Sequence, residues 1–525
     1  MKQLLILACF LFVSQLVAQK HDYQWMIGYG ENGGDLYPKY NTTRINFNEQ
    51  PAIPENIKIK MLFAGFSPIA IMSDQAGELL FYTNGCYIAN AVGDTVEGSS
   101  PLNYASDQHF QEDCAAPLFG GYQINWSAIA LPLAPSEGKY AIIHKDEHTN
   151  FPNHQNPVFA LNEYVTFLDM YANGGAGKVT QQRIVVSDTI AYSDVTACRH
   201  ANGEDWWFMT MREDSNLFYK FLLKKDTVLG PFTQEIGDAW DTKKDVCQAA
   251  FSPNGAQYAR VNWCNGVMLY DFDRSTGMLS NYRNYGKGCA DDQTDSVKLC
   301  GVGFSPNSRY MYVSGWLKMY QFDTQIPVLD SSVQLIGVYD GYRDTVGAAT
   351  LVPQQFFVMM NGPDCKIYIT AANQGQVFHI IHQPDLPAPF CNFEQHALKL
   401  PTLRSYNIPN FAHYRLGSAM SECDSTLSVV SAVWGLPQRK VTPHLFPNPS
   451  TGPVTLDIDL LQYKNGLFQI YDLQGYMVYT VPLNNRMLSY SLDLSQLPGG
   501  LYFYLVRTSS GTLGQGKLVI VKNSK

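Results

Sequence analysis

The stretch FSPNGAQYARV, residues 251–261, places a tight turn directly before an apolar strand. Proline and asparagine favour turns, and Gly255 adopts positive φ without steric cost. The residues after the turn include aromatic, aliphatic and small side chains, which is typical of a strand with one buried face. The stretch therefore predicts the start of a β-hairpin.

The same turn followed by the same kind of strand recurs along the chain. The turn positions lie 52 to 65 residues apart and are Gly77, Gly138, Gly203, Gly255, Ser308 and Cys365. A unit of this length suits a four-stranded sheet, the blade of a β-propeller. Seven blades fit the region from about residue 41 to residue 417, while six or eight blades and an array of two-sheet sandwiches are the alternatives. We expect the ring to close by pairing of residues near Arg44–Phe47 with Asn410–Leu416.

Composition supports an all-β chain and excludes some partners. Hydrophobic residues make up 46% of the 525 residues, charged residues 16% and aromatic residues 13%. Such a chain buries a core and is not a disordered polymer. The net charge of −9 argues against sequence-independent binding to nucleic acid, which requires a basic surface.

The N-terminal residues predict export. Lys2 precedes an apolar run, Leu4–Val13, and the small residue Ala18 precedes Gln19. This pattern is typical of a secretory signal peptide, residues 1–18, and the apolar run is too short to cross a bilayer. We expect no integral membrane segment after its removal.

Ten cysteines follow the predicted signal peptide. An even number in an exported chain favours disulfides, and a few buried free thiols are the alternative. The chain has no C-x-x-C pair, so a zinc ribbon or a thioredoxin-like site is not expected.

Three motifs with chemical associations lack the context that their chemistry requires. GYGENG (28–33) is followed by a proline-containing stretch instead of the helix that a dinucleotide site needs. HKDEH (144–148) follows a predicted strand, whereas a zinc peptidase holds both histidines on one helix. We interpret it as a solvated rim loop, and a metal site on that loop that includes His154 is the alternative. CADDQTD (289–295) lacks the spacing of a calcium loop. The sequence therefore predicts no catalytic residue, no metal site and no cofactor.

Five tryptophans are candidates for stacking on sugar rings at a propeller face: Trp206, Trp207, Trp240, Trp263 and Trp316. Aromatic side chains in propeller blades more often belong to the core, because they bury a large area.

Phrases in the body also resemble a known group of proteins. MSDQAGELLFYTNGCYIAN (72–90), TACRHANGEDWWFM (196–209) and PAPFCNFEQHALKL (387–400) look like the propeller region of large secreted proteins of the Bacteroidota. The resemblance covers most of residues 25–415, and it implies no defined activity.

The last 80 residues predict a separate β-module. Alternating segments such as VTLDIDL and GLYFYLV, separated by glycine, asparagine and proline, predict about seven strands in an Ig-like sandwich. FPNPSTGPVTL, IYDLQGYMV, LPGGLYFYLV and GKLVIVK resemble the C-terminal sorting domain of the type IX secretion system. The matching positions are Pro447, Asn448, Pro449, Gly452, Tyr471, Asp472, Gly475, Gly500, Leu501, Tyr502, Lys517 and Val519.

Asp-Ser or Asp-Thr, followed by an aliphatic residue or threonine, recurs six times. The pattern resembles the O-glycosylation sequon of exported Bacteroidota proteins, and an ordinary turn before a strand is the alternative. The hydroxyl residues are Thr95, Thr189, Thr227, Ser296, Thr345 and Ser425.

Together these features predict a signal peptide (1–18), a propeller (19–417), a linker (418–443) and a sorting domain (444–525). The resemblance implies export through the periplasm to the cell surface or the medium. Its partners would be the type IX secretion machinery and its sortase, with tail removal in the linker. For the propeller we expect binding of a glycan, peptide or surface protein; a secreted hydrolase or lactonase and a structural surface component are the alternatives.

Overall fold

The fold was taken from a computed structural model, which describes residues 19–30, 38–63, 65–103, 114, 120–149, 158–239, 248–263, 265–286, 299–346, 350–416, 443–458, 465–472, 477–484, 489–508 and 511–522. The chain divides into two compact units, Met1–Ser428 and Val429–Lys525, with the boundary inside the predicted linker. In the described ranges no helix has the length and apolar character needed to cross a membrane. The predicted signal peptide lies outside those ranges.

Seven antiparallel sheets follow one another in the described part of the first unit. The first three contain β1 (Gln24–Gly28), β2 (Thr42–Asn46) and β3 (Glu55–Ile57); β4 (Ala70–Ser73), β5 (Leu79–Thr83) and β6 (Ile88–Asn90); and β7 (Ala128–Ala134), β8 (Lys139–Lys145), β9 (His148–Thr149), β10 (Val158–Asp169) and β11 (Lys178–Ile190). The next two contain β12 (Ala197–Arg199), β13 (Trp206–Met211), β14 (Leu217–Leu223) and β15 (Val228–Glu235); and β16 (Gln248–Phe251), β17 (Gln257–Asn262), β18 (Gly266–Asp273) and β19 (Met278–Tyr285).

The sixth sheet contains β20 (Leu299–Phe304), β21 (Tyr310–Gly315), β22 (Lys318–Asp323) and β23 (Gln334–Val338). A hairpin of β24 (Arg343–Val346) and β25 (Thr350–Pro353) precedes the seventh sheet, which contains β26 (Phe356–Asn361), β27 (Ile367–Ala371), β28 (Gly375–Ile381) and β29 (Phe393–Arg404). Among the described residues the helical elements are one α-helical turn, α1 (Leu329–Ser332), and 3-10 turns at Pro38–Tyr40, Pro135–Glu137 and Ala172–Gly175. Sequential antiparallel sheets of this size are the blades of a β-propeller, as predicted.

The repeated turns lie where the sequence predicted them. All six turn positions connect the first and second strands of a sheet, and each has φ between +64° and +86°. In FSPNG the hydroxyl of Ser252 accepts the N–H of Gln257, which closes the turn. Ser308 takes the place of Gly255 one blade later with φ of +64°, a conformation that costs a serine more than a glycine.

Residues 405–416, here called the axial segment, run through the centre of the ring. Asn410 donates its main-chain N–H to the oxygen of Ile69 and its side-chain amide to the oxygens of Ala128 and Val195. The Tyr414 hydroxyl donates to Ala130 at 2.8 Å. These acceptors lie in, or just before, the first strands of three successive sheets. Only a segment on the propeller axis reaches all of them.

The axial segment also reaches the remaining blades. Phe411 stacks on Trp25 of β1 with 6.0 Å between ring centroids, and the His413 ring is 3.1 Å from the oxygen of Phe251 in β16. Beside residues 410–413, a cavity of about 20 Å³ is bounded by β20 and β26. A space of that size holds about one water molecule. The channel is therefore filled by the chain itself at this level.

Ring closure differs from the prediction. Asn410–Leu416 belongs to no strand and does not pair with Arg44–Phe47. Instead β29 of the last sheet packs against β1 and β2 of the first, where the Thr43 and Thr402 hydroxyl oxygens are 2.5 Å apart. The prediction was wrong because the polar side chains at 405–416 bind inner-strand main chain, which a strand pattern does not show.

Apolar side chains hold neighbouring blades together. One buried cluster joins the fourth and fifth sheets, for example through Trp207 and Phe251, and another joins the fifth and sixth through Val261 and Val302. Burial of aromatic and aliphatic surface between sheets is the main stabilising contribution to such a ring.

The cysteines are divided between disulfides and free thiols. Cys86 and Cys114 are bonded to each other, and Cys365 is also in a disulfide. The preference for disulfides does not hold for Cys198, Cys300 and Cys391, which are buried free thiols, the alternative that the sequence left open. Burial raises the pKa of the Cys198 and Cys300 thiols to about 12, and these side chains pack as small apolar groups. Cys247, Cys264, Cys289 and Cys423 lie outside the described residues.

The second unit has two antiparallel sheets around its own core. One contains β30 (His444–Phe446), β31 (Pro453–Asp457) and β34 (Ser489–Asp493); the other contains β32 (Asn465–Tyr471), β33 (Met477–Asn484), β35 (Gly500–Thr508) and β36 (Gly511–Ile520). Leu456, Phe468, Val506 and Leu518 are among the side chains buried between them. This arrangement agrees with the predicted small β-module of about seven strands.

Replacement of Asn410 by alanine should destabilise the propeller. The oxygens of Ala128 and Val195 would lose their side-chain donor in a buried site, at a cost of about 2 to 4 kcal/mol. Calorimetric unfolding of Asn410→Ala and of Gln181→Ala, a control that removes an exposed amide from β11, measures the difference. Equal unfolding temperatures for the two variants would contradict the role of the axial segment.

Candidate functional site

The first and last sorting-domain motifs meet in the structure. Pro447 and Pro449 have no N–H to donate, so the main chain around Asn448 is a poor partner for a strand. The Asn448 side chain makes these bonds instead: its amide donates to the oxygen of Lys517 at 2.6 Å, and its oxygen accepts the N–H of Val519 at 2.9 Å. Motif residues 69 and 71 positions apart in sequence therefore form one contact at the edge of β36.

Main-chain pairing continues directly after this contact. Ser450 donates its N–H to Val519 and accepts the N–H of Val521, which binds the loop to β36. Gly452 has φ of +144°, and an added Cβ would lie 2.5 Å from the Ser495 hydroxyl oxygen. The glycine allows the loop to turn back toward β31, and the Leu494 N–H donates to its oxygen.

A second group of motif residues lies along β35 and its neighbours. Tyr502 is buried and donates its hydroxyl to the oxygen of Pro498 at 2.8 Å, while Gly500 pairs with Ile520. Leu501 points to the opposite side of the strand, where it pairs with Val519. Asp472 follows β32 directly, and Gly475 lies outside the described residues.

The outer faces of the two sheets differ in character. On the four-stranded sheet Leu501 is 36% exposed, Phe503 40% and Met477 37%; with Tyr471 and Val519 they form what we call the outer apolar face. On the three-stranded sheet the corresponding face is mostly polar: it comprises Thr455, Asp457, Ser489, Ser491 and Asp493, together with His444, Pro453 and Phe446, which is 48% exposed. A contiguous exposed apolar face on a small domain is typical of an interaction surface.

The candidate O-glycosylation positions that the structure describes lie in outer parts of the blades. Thr95 and Thr345 are exposed, and Thr189 and Thr227 are partly exposed. In two cases the preceding aspartate accepts the N–H of the hydroxyl residue itself, at Thr189 and Thr345. Ser296 and Ser425 lie outside the described residues. The side chains are accessible, and modification stays a prediction.

The interpretation of HKDEH as a solvated loop was wrong. His144 and Lys145 belong to β8, and all residues from His144 to Glu147 are buried. The His144 ring stacks on Tyr164 at 5.1 Å and bonds to Asn103 and Thr166. Burial lowers the pKa of His144 to about 3, so the ring is neutral. The alternative of a metal site on this loop also included His154, which lies outside the described residues.

Lys145 is part of a buried charged cluster that sequence reasoning missed. Its ammonium pairs with Asp194 and donates to the Thr210 hydroxyl at 2.8 Å, and Arg260 lies 3.2 Å from the same carboxylate. These groups come from three successive blades, and all are buried. A buried charge is tolerated only when it is paired, so the cluster fixes the blades relative to one another.

Glu163 of β10 lies opposite Lys145 of β8 in the strand register and is fully buried. Neither of its carboxyl oxygens has a hydrogen-bond partner in the described residues. Burial raises the pKa of Glu163 to about 7, although the nearby Lys145 ammonium opposes the shift. At moderately acidic pH the side chain is therefore a neutral acid.

The tryptophans fall into two groups. Trp206 and Trp207 are buried in the core, in agreement with the structural interpretation. Trp263 and Trp316 are half-buried and occupy corresponding turns, between the second and third strands of neighbouring blades. Their rings meet edge to face with 5.0 Å between centroids. Trp240 lies outside the described residues.

Comparison with known proteins identifies the second unit. Residues 444–522 match the family described as "Secretion system C-terminal sorting domain". No curated protein sequence matches the chain. The match indicates that the chain is cargo of the type IX secretion system, exported to the cell surface or medium.

Solved structures similar to the chain include propellers. A Lactobacillus plantarum protein has 11% identity and a TM-score of 0.38, covering 74% of this chain and 99% of its own. A candidate 6-phosphogluconolactonase from Bacteroides uniformis has 12% identity and a TM-score of 0.39, with coverage of 73% and 98%. The Dos1 propeller has 10% identity and a TM-score of 0.33, with coverage of 63% and 69%.

Replacement of Glu163 by glutamine should remove a pH-dependent loss of stability. The unfolded carboxyl releases its proton near its usual pKa of 4.5, whereas the folded chain keeps it up to about pH 7. Stability contributed by the protonated acid is therefore present below pH 4.5 and lost as the pH rises to 7, by roughly 3 kcal/mol.

Unfolding of wild type, Glu163→Gln and the exposed control Glu235→Gln, followed at pH 4 and pH 8, checks this expectation. Glu163→Gln should match wild type at pH 4 and exceed it at pH 8, while Glu235→Gln follows wild type throughout. An unchanged pH dependence in Glu163→Gln would show that the buried acid is not the cause.

Proposed function

We propose that the propeller of this secretion cargo acts, once exported, as a rigid module that binds a glycan, peptide or protein. The axial segment is the observation that carries the proposal. Enzymes built on a propeller channel need acids or histidines that converge on open space. Here Asn407, Asn410 and His413 contact main-chain oxygens of the inner blades. The axial segment supports the ring, and the loops and turns at the two ends of the blades are the parts available for recognition.

The Trp263–Trp316 pair supports recognition of a glycan at one of these ends. The two turns are adjacent around the ring, and both indoles are partly exposed. Leu317, next to Trp316, is 49% exposed and extends the apolar surface. Flat aromatic faces on a rigid scaffold suit the apolar faces of sugar rings.

The outer apolar face supports docking of the sorting domain to the export machinery. All five of its residues are exposed or partly exposed on one sheet, and three of these, Tyr471, Leu501 and Val519, are motif positions. Asn448, Gly452 and Tyr502 instead maintain the fold, through the contacts described above. The motif thus combines residues that form the domain with residues that the machinery would contact. Removal of the tail by the system's sortase, within linker 418–443, is part of the same proposal.

Two substitutions on the outer apolar face should block export without unfolding the domain. Leu501→Ser with Phe503→Ser removes exposed apolar surface, while the core below is unchanged. Cell fractionation should show the variant retained in the periplasm, as for a chain lacking residues 444–525. The control, Ser489→Ala with Ser491→Ala on the polar face, should be exported normally. Normal export of the Leu501/Phe503 variant would contradict docking through this face, and normal export of the truncated chain would contradict the sorting role.

The binding function is tested on secreted protein with a glycan array and a panel of hydrolase substrates. We expect glycan binding without turnover. If the Trp263–Trp316 pair binds the glycan, replacement of both tryptophans by alanine should lower the affinity at least tenfold, since stacking contributes about 1 kcal/mol per ring. Leu335→Ala, which removes an exposed apolar side chain from outer strand β23, is the control. Turnover of a substrate that disappears when a metal chelator is added would contradict the binding module and favour the hydrolase or lactonase alternative.

A further inference from the structure

Two cationic side chains flank the outer apolar face of the sorting domain. Lys517 of β36 lies opposite Phe503 in the strand register, and because the next residue, Leu518, is fully buried, the lysine points away from the core. Arg507 of β35 follows the fully buried Val506 and lies on the same outer side of the sheet. Lys517 is exposed and Arg507 is partly exposed. Both charges are therefore available to a partner that covers the face.

The strand register places the two cations at different borders of the face. One row across the four strands consists of Lys517, Phe503, Tyr471 and Met477. Arg507 lies further along β35 from Phe503, at a separation of about 13 Å for four strand residues. The apolar side chains thus lie at the centre, with a positive charge at each of two borders.

The environment of Arg507 supports this placement. Leu467, opposite Arg507 in the register, is only 5% exposed although it lies on the outer side of the sheet. Burial raises the pKa of the Tyr471 hydroxyl, and the nearby Arg507 charge opposes that rise. Long cationic side chains cover apolar surface with their stems and keep the charged end in water. Arg507 therefore extends the apolar surface and supplies charge at its border.

The two cations are not neutralised by the domain itself. In the described part of the chain no carboxylate oxygen lies within 4.0 Å of the Lys517 ammonium or the Arg507 guanidinium. Asp472, beyond the end of β32, has a contact of its own. Asp457 and Asp493 lie on the opposite, mostly polar face, on β31 and β34. The two faces of the sandwich therefore carry charges of opposite sign.

We propose that the outer apolar face docks on a protein of the export machinery whose own surface is apolar at the centre and bordered by carboxylates. Lys517 and Arg507 pair with these carboxylates, while the apolar side chains between them are covered. Charges at the border of an interface act mainly on the association rate and on orientation. The same carboxylates would repel the face that carries Asp457 and Asp493, so the domain docks in one orientation.

A protein partner is favoured over an anionic lipid surface. Recognition of anionic lipids relies on clusters of about 4 to 8 lysines and arginines, and the described part of this face has Lys517 and Arg507. The proposal rests on the docking role proposed above, and it adds the chemistry of the partner.

The first test follows export of the full chain by cell fractionation. Lys517→Glu should lower the amount that reaches the cell surface or medium at least about threefold, and Lys517→Glu with Arg507→Glu about tenfold, because the border charges are reversed. Lys517→Arg with Arg507→Lys keeps both charges and should be exported like wild type. The control, Lys522→Glu, reverses a cation that donates to the Ser495 oxygen and lies outside the face, and it should also be exported normally. Unfolding temperatures of the purified variants verify that their sorting domains are folded.

The second test measures binding of the purified full chain to outer-membrane vesicles from the producing cells. Raising the salt concentration from about 50 mM to about 500 mM should weaken binding of wild type at least about fivefold, because salt screens exposed charges. Binding of the Lys517→Glu with Arg507→Glu variant should be weaker and should not fall further. Vesicles made only from lipids extracted from the same membranes should not bind the chain.

Three outcomes would overturn the proposed partner chemistry. Normal export of both charge-reversal variants, with the Leu501/Phe503 variant retained, would leave the docking role intact and contradict the carboxylates. Equal binding to the vesicles of extracted lipid would show that the surface is lipid. Retention of Lys522→Glu to the same degree as Lys517→Glu would show that the effect of charge does not come from this face. Failure of the docking role itself would instead appear as normal export of the Leu501/Phe503 variant.

Discussion

Hydrogen bonds from the axial segment to the inner strands are the interaction on which the propeller depends. First strands of the blades expose main-chain oxygens toward the axis, and a buried carbonyl without a donor is costly. The Asn410 side chain alone bonds to two blades, its main-chain N–H bonds to a third, and the Tyr414 hydroxyl adds a bond to Ala130. The ring can close tightly because the chain supplies its own donors at the centre. Under the proposed binding function, the ligand is recognised at the ends of the blades.

The sorting domain also depends on side-chain hydrogen bonds to main-chain groups. Asn448 replaces strand pairing with a side-chain amide at the edge of β36, between two prolines that cannot pair. In both units an asparagine joins segments distant in sequence by bonding to main chain. The Asn410 amide donates twice, to the oxygens of Ala128 and Val195, whereas the Asn448 amide donates to Lys517 and accepts from Val519. An uncharged amide group supplies both kinds of bond, and an apolar residue supplies neither.

Local features of the fold were predictable from sequence, and features that depend on burial were not. The six turn positions were found because each requires positive φ, a local property of Gly77 or Gly255 that spacing then repeats. The sorting motifs were found because several short patterns occur in a fixed order. The polar residues of HKDEH were misread because their burial depends on Asp194 and Arg260, 49 and 115 residues from Lys145.

The position of the axial segment in the chain has a consequence for biogenesis. Synthesis proceeds from the N-terminus, so residues 405–416 are made after all seven sheets and shortly before the sorting signal. A ribosome-bound chain that ends before Ser405 has every blade but lacks the donors that complete them. The propeller and the sorting domain that exports it are therefore completed in close succession. A prematurely terminated chain lacks both, and it has neither a finished ring nor a signal that would carry it out of the cell.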